Sequence, residues 1–239
     1  MIWFLKKQKK YVSFTLPKGN MQYSFFNINE LSEDMVKKYY PMLTEHKKNK
    51  LKAESDSHNR AVDFCAEMCA RQCLSREFGS PEFSFSLFIN PNSACAVSNY
   101  KASLCVVNEG DFIACATDRG MCGIGICMAD EFEFSEAQAI CTDRELRDIF
   151  SYSVYSFAEL INRKTCSETA VTERFALYKS LKDAYFRASG RAVRNNFRNA
   201  EFVTGEDSII CSDRLFSVSV HEYHKKSGYV LCVLTGRTK

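Results

Sequence analysis

The chain has no apolar run approaching the roughly 18 residues that a membrane-spanning helix needs. Its first apolar stretch, Met1-Ile2-Trp3-Phe4-Leu5, is short and is followed, not preceded, by Lys6, Lys7, Lys9 and Lys10. That order inverts a secretory signal, so the expectation is a soluble, cytoplasmic protein with no membrane partner. A strong charge of one sign is also missing. The net charge is +3, and residues 1 to 20 carry five lysines and no acid, which leaves −2 for the remainder. A basic nucleic-acid footprint spread over the fold is thereby excluded, and no nucleic-acid partner is expected. Histidine is scarce, at four residues, and no nucleophile elbow is present, so a Ser-His-Asp triad has no support. None of the 12 cysteines forms a Cys-x2-Cys pair, which removes the usual structural zinc signature. In an unexported protein these thiols stay reduced.

What is present is enough chain for a real core. At 239 residues, with hydrophobic residues at 46% and charged residues at 26%, the composition is that of a globular protein of one to two domains. Met21-Gln22-Tyr23-Ser24-Phe25-Phe26 reads as a first strand, and the lysine-rich twenty residues before it have no amphipathic pattern. They are expected to be a tail or a misassigned start. Residues 31 to 51 read as an exposed helical stretch broken near Pro41. From about His58 to Phe78, Ala61, Phe64, Cys65, Met68, Cys69 and Cys73 recur at helical steps, with Asp56 or Ser57 as cap and Gly79 as stop. Cys65, Cys69 and Cys73 lie in line on one helix face, which suits core packing and not a cluster around a point.

Phe83 to Asn90, Ser103 to Val107, Asp111 to Thr117 and Gly123 to Met128 read as strands separated by turn formers. Gly120-x-x-Gly123-x-Gly125 reverses the glycine order of the dinucleotide fingerprint and is followed by an acidic loop, which excludes Rossmann-type binding. Thr142-Asp143-Arg144-Glu145 is a capping box opening a helix through Phe150, with a continuation towards Ile161 left open. A second long helix spans Thr172 to Ser189 and ends on Gly190. Phe197 to Val203, Leu215 to Tyr223 and Tyr229 to Leu234 then alternate as strands. The two halves share one grammar: a long helix ending in glycine, antiparallel strands, and a last strand entered through Gly110 or Gly228. The expected fold class is therefore α+β and pseudo-duplicated. Its lobes would run from 21 to 120 and from 121 to 239, each with a long helix packed on a small antiparallel sheet.

Within the second helix, Lys179, Asp183 and Arg187 stand at steps of four, which by itself is a ladder of surface ion pairs. The longer string Leu177-Tyr178-Lys179-Ser180-Leu181-Lys182-Asp183-Ala184-Tyr185-Phe186-Arg187-Ala188-Ser189-Gly190 resembles the Trp-x-x-Lys-Glu-Ala-x-x-Lys-x-x-Gly helix of the 4′-phosphopantetheinyl transferase superfamily, the two-lobed type. Lys182, Asp183, Ala184, Arg187 and Gly190 fall on the motif; Lys179 stands where that family has Trp. Gly123-Ile124-Gly125-Ile126-Cys127 is similar to its Gly-Val/Ile-Asp-Ile-Glu strand, Leu104 to Gly110 to its Phe-Asn-Ile-Ser-His-Ser-Gly turn, and Cys141 to Phe150 to its Phe-Ser/Thr-x-x-Glu helix start. The similarity extends over roughly residues 21 to 236.

The resemblance implies transfer of the phosphopantetheinyl group of coenzyme A to a serine of an acyl or peptidyl carrier protein, by a cytoplasmic monomer with Mg²⁺ on the pyrophosphate. It would place Lys182 on the pyrophosphate, Asp183 as metal ligand or base, and Lys47, Lys50, Arg60, Asn108 and Arg187 on the cofactor. The departures fall on the metal. The two acids of the family strand are Gly125 and Cys127 here, and neither suits Mg²⁺, which takes hard oxygen ligands. A homologue that binds coenzyme A or a carrier protein without transfer is the alternative expectation.

Overall fold

The computed structural model describes residues 21–89, 95–156, 159, 165–190, 197–205, 208–225 and 227–236. The expected tail, residues 1 to 20, lies outside them. The chain forms two compact units that divide between Arg119 and Gly120. Both are α+β, with helices on small antiparallel sheets.

The first unit begins with β1 (Gln22–Asn27), followed by α1 (Glu33–Tyr39) and α2 (Glu45–Ala53). A short 3-10 turn at Tyr40–Met42, containing Pro41, separates the two helices. Neither lies loosely on the surface as expected, because Met35, Tyr39, Leu43 and Leu51 are buried. The long helix α3 (Ser57–Phe78) starts where Asp56 accepts from the backbone N–H groups of His58 and Asn59, at 2.7 and 3.0 Å. It stops on Gly79, whose φ of +63° only glycine adopts without strain. Cys65, Cys69 and Cys73 are wholly buried on its inner face with Phe64 and Met68, so these thiols serve as small core hydrophobes.

A short pair, β2 (Leu87–Phe88) and β3 (Ala96–Val97), precedes β4 (Ser103–Glu109) and β5 (Phe112–Asp118). Of the expected strand over 83 to 90, the described residues form strand only at Leu87–Phe88; residue 90 lies outside them. Glu82–Ser84 forms a 3-10 turn because Arg71, paired with Glu67 inside α3, donates to the carbonyls of Glu82 and Phe85 and holds that backbone bent. The main sheet is antiparallel in the order β1-β5-β4.

The second unit comprises β6 (Cys122–Met128), β7 (Phe132–Glu133), α4 (Phe134–Ile140), α5 (Asp143–Phe150), β8 (Thr165–Cys166) and α6 (Thr169–Ser189). After them come β9 (Phe202–Thr204), β10 (Ile209–Cys211), β11 (Phe216–His224) and β12 (Tyr229–Gly236). The acidic stretch after β6 is not a loop: Phe134, Ala137 and Ile140 bury one side of α4. The helix opened by the capping box ends at Phe150 and does not run on towards Ile161; Ile161 itself lies outside the described residues. The expected strand over 197 to 203 is a 3-10 turn at Phe197–Asn199 followed by the short β9. The main sheet has the antiparallel order β11-β12-β6, and α6 packs across β6 and β12. Among the described residues no helix is long and apolar enough to cross a membrane.

Candidate functional site

Helix α6 carries the residues with the strongest chemical expectation, and its seat on β6 decides where they go. In a strand the side chains at 123, 125 and 127 share one face, and here that face meets α6. A Cβ on Gly123 would lie 2.0 Å from the Ala184 carbonyl oxygen, and one on Gly125 would lie 2.1 Å from the Ser180 carbonyl oxygen. Real Cβ atoms do not approach so closely. The two glycines therefore let helix backbone rest directly on strand backbone. Ser180 seals the contact by donating its hydroxyl to the Gly125 carbonyl at 2.8 Å.

Lys182 points into the core. Its Nζ lies 2.8 Å from Glu145 Oε2, and neither side chain is exposed at all. It also donates to the carbonyls of Phe197, at 2.8 Å, and Ala200, at 2.5 Å. All three ammonium donors are used. Glu145 is equally committed: Oε2 accepts the Thr142 N–H at 2.7 Å, completing the capping box, and Oε1 accepts the Phe202 N–H at 2.8 Å. The sequence showed Glu145 as a cap; that it also neutralises a buried lysine was not legible, because the partner lies 37 positions away. Every polar atom of the pair is matched, the condition under which a buried ion pair is tolerable.

One residue further on, Asp183 sits in a different environment. Burial pushes its carboxyl above the usual range, while Arg187 and Lys179, one turn to each side, pull it back through space. Of the expected ladder, Lys179 pairs with Glu136 on α4, at 2.7 Å. Arg187 Nε is buried with no hydrogen-bond partner among the described residues.

The remaining expected cofactor residues lie in the first unit. Lys47 and Lys50 on α2 converge on Asp63 of α3, at 3.7 and 2.7 Å. Lys47 Nζ is buried and makes no hydrogen bond among the described residues. Arg60, in the first turn of α3, folds back onto the Glu54 carbonyl through Nε, at 3.1 Å, and through one terminal nitrogen. Asn108 is near the end of β4, opposite Ile113. The structure brings Lys47 and Lys50 together on one carboxylate; Lys182, Asp183 and Arg187 share one helix but face different surroundings.

A divalent metal does not fit at the place the resemblance gives it. Gly125 offers no ligand and no space, and Cys127 is a buried thiol bonded to the Met128 carbonyl at 3.4 Å. One carboxylate, Asp183, remains, and no group of three His, Cys, Asp or Glu able to hold a metal occurs among the described residues. Mg²⁺ demands several hard oxygen ligands in near-octahedral array.

A polar cluster that the sequence did not signal lies where α5, α6 and β9 meet. Asp148 Oδ2 accepts from Arg174 Nε at 2.7 Å, Tyr178 OH at 2.6 Å and Thr204 Oγ1 at 3.1 Å. Burial pushes this carboxyl up, but those bonds outweigh it and hold the group below its ordinary range. The guanidinium of Arg174 lies 5.5 Å from the Tyr152 ring centre and 5.8 Å from that of Tyr178. The cluster fastens two helices to a strand.

Compared with known proteins, the chain matches no family model and no curated protein.

Proposed function

We propose that this chain is a divergent homologue of the two-lobed 4′-phosphopantetheinyl transferases that binds coenzyme A or an acyl or peptidyl carrier protein without transferring the phosphopantetheinyl group. The observation that carries the reading is the wholly buried Lys182–Glu145 pair. Its two members come from two of the stretches similar to the family, the Thr-x-x-Glu helix start and the Lys-Asp-Ala string. Their meeting supports the relationship. The same contact takes Lys182 away from any pyrophosphate, because all its donors are spent inside the protein. Phosphoryl transfer depends on positioned cations at the charged oxygens, and here one expected cation is sequestered. The likeness of the two units supports the same reading: each pairs a helix of more than twenty residues, ended by a left-handed glycine, with a three-stranded antiparallel sheet.

The test incubates the full chain with coenzyme A, Mg²⁺ and several apo carrier proteins. Carrier mass should stay unchanged, while coenzyme A or a carrier protein raises the thermal midpoint of the chain. A mass gain of one phosphopantetheinyl group would establish the transferring reading instead. No stabilisation by coenzyme A and no carrier-protein binding would remove both.

A further inference from the structure

We infer that the seam between β6 and α6 has closed the place where the family likeness would put a divalent cation, so that this chain binds its ligand without one. The inference rests on the proposed relationship for the location and on packing for the closure. A strand advances about 6.7 Å in two residues and a helix about 6 Å in four. The two steps nearly match, so Gly123 and Gly125 meet successive small residues of α6. Gly123 lies against Ala184 and Ala188, and Gly125 against Ser180 and Ala184. The contact continues as far as the Ser180 hydroxyl, which is bonded to Gly125.

A carboxylate at 125 would meet the Ser180 carbonyl oxygen, an oxygen against an oxygen, in a space already too short for a methyl group. The glycine is thus a requirement of the helix seat as well as a missing ligand. Cys127, next on the same strand face, is 5% exposed and adds only a soft sulfur. Putting the acids back would force the helix off the sheet before it made a site. Charge on a bound phosphate ester must therefore be met by the protein's own donors and not by a cation.

The experiment titrates Mn²⁺ into the ligand-free full chain, following water-proton relaxation, for wild type, Asp183→Asn and the double variant Gly125→Asp/Cys127→Glu. No stoichiometric site is expected in any of them, and the double variant should melt lower than wild type. One Mn²⁺ per chain that disappears in Asp183→Asn would overturn the inference, as would a site gained by the double variant. Should the double variant not fold, Gly125→Ala tests the seam by itself, with an expected loss of about 5 °C or more in thermal midpoint. A midpoint equal to wild type would overturn the closure. In a second arm, the Kd for coenzyme A is measured in EDTA and in Mg²⁺. Agreement within about twofold is expected, and a tightening of about tenfold by Mg²⁺ that requires Asp183 would overturn metal independence. Absence of coenzyme A binding in both buffers, together with absence of carrier-protein binding, would count against the proposed function, while the Mn²⁺ and Gly125→Ala results would still decide the seam.

Discussion

Lys182 and Glu145 meet at 2.8 Å with no solvent on either side chain, and between them they hold four backbone groups: the N–H of Thr142 and of Phe202 and the carbonyls of Phe197 and Ala200. The pair thereby joins α5, α6 and the start of β9 at a single point. Desolvation offsets much of the Coulomb gain of such a pair. Its consequence is geometric: α6 cannot turn about its axis without stripping partners from both charges. That same fixed rotation lays Ser180 and Ala184 against the glycines of β6.

Breaking the pair from one side should be far more damaging than removing it whole. Lys182→Met leaves a buried carboxylate without its cation, and a loss of about 3–5 kcal/mol in urea unfolding is expected. The double variant Lys182→Met/Glu145→Met should lose less than the sum of the single losses, since no unpaired charge remains. It will not return to wild type, because the N–H groups of Thr142 and Phe202 lose their acceptor. Additive single losses would mean that the two side chains do not act as a pair.

Asp148 should carry part of the acid limb of stability. Its folded-state pKa lies below the unfolded value, so its contribution is present above about pH 3.9 and is lost as the pH falls through the lower folded value. Asp148→Asn should destabilise the chain at pH 7 and flatten the decline below pH 4, measured by thermal melts at fixed ionic strength. An unchanged acid limb would show that the three bonds to Oδ2 do not favour the charged form.

Asp183 should behave with the opposite sign. Burial raises its folded-state pKa above the unfolded value, so ionisation at neutral pH works against folding, and the penalty disappears once the pH falls below about 3.9. Asp183→Asn should therefore raise the thermal midpoint at pH 7 and give no gain near pH 3. A lower midpoint at pH 7 would mean that Arg187 and Lys179 stabilise the carboxylate more than burial penalises it.

The local signals in the sequence located the helices well, because a cap and a stop are made by neighbours: Asp56 and Gly79 for α3, Thr142 and Glu145 for α5. Long-range demands stayed hidden. Gly125 read as a lost ligand, while its structural reason lies in the Ser180 carbonyl, 55 positions away. The stretch 83 to 90 has a strand-like composition, but Arg71 bends its backbone from a helix already complete by then. Helix α4 was missed because its charged flank, Asp130 to Glu136, hid the three-residue spacing of Phe134, Ala137 and Ile140. Of the candidate site, the residue types on α6 were legible and their directions were not: Lys182 and Asp183 are adjacent in sequence, yet one is an internal counter-ion and the other a half-buried acid whose carboxyl burial pushes up.

Cysteine chemistry gives a further check on the packing of both units. Eleven of the thiols are buried, and only Cys95 is partly exposed. Burial pushes Cys69, Cys141 and Cys232 up to about 12, and Cys65 and Cys115 well above their ordinary values. The thiolate is the reactive form, so at pH 8 these groups are both inaccessible and protonated. Native protein treated with a chromogenic disulfide reagent should release about one equivalent quickly, and mass mapping should place it on Cys95. The others should react only at the rate of local or global opening, and all 12 should titrate in urea. Fast labelling of Cys127 would be the informative exception. It lies at the end of the β6 seam, and its ready reaction would mean that α6 lifts from the strand often enough to admit a reagent, and with it a ligand.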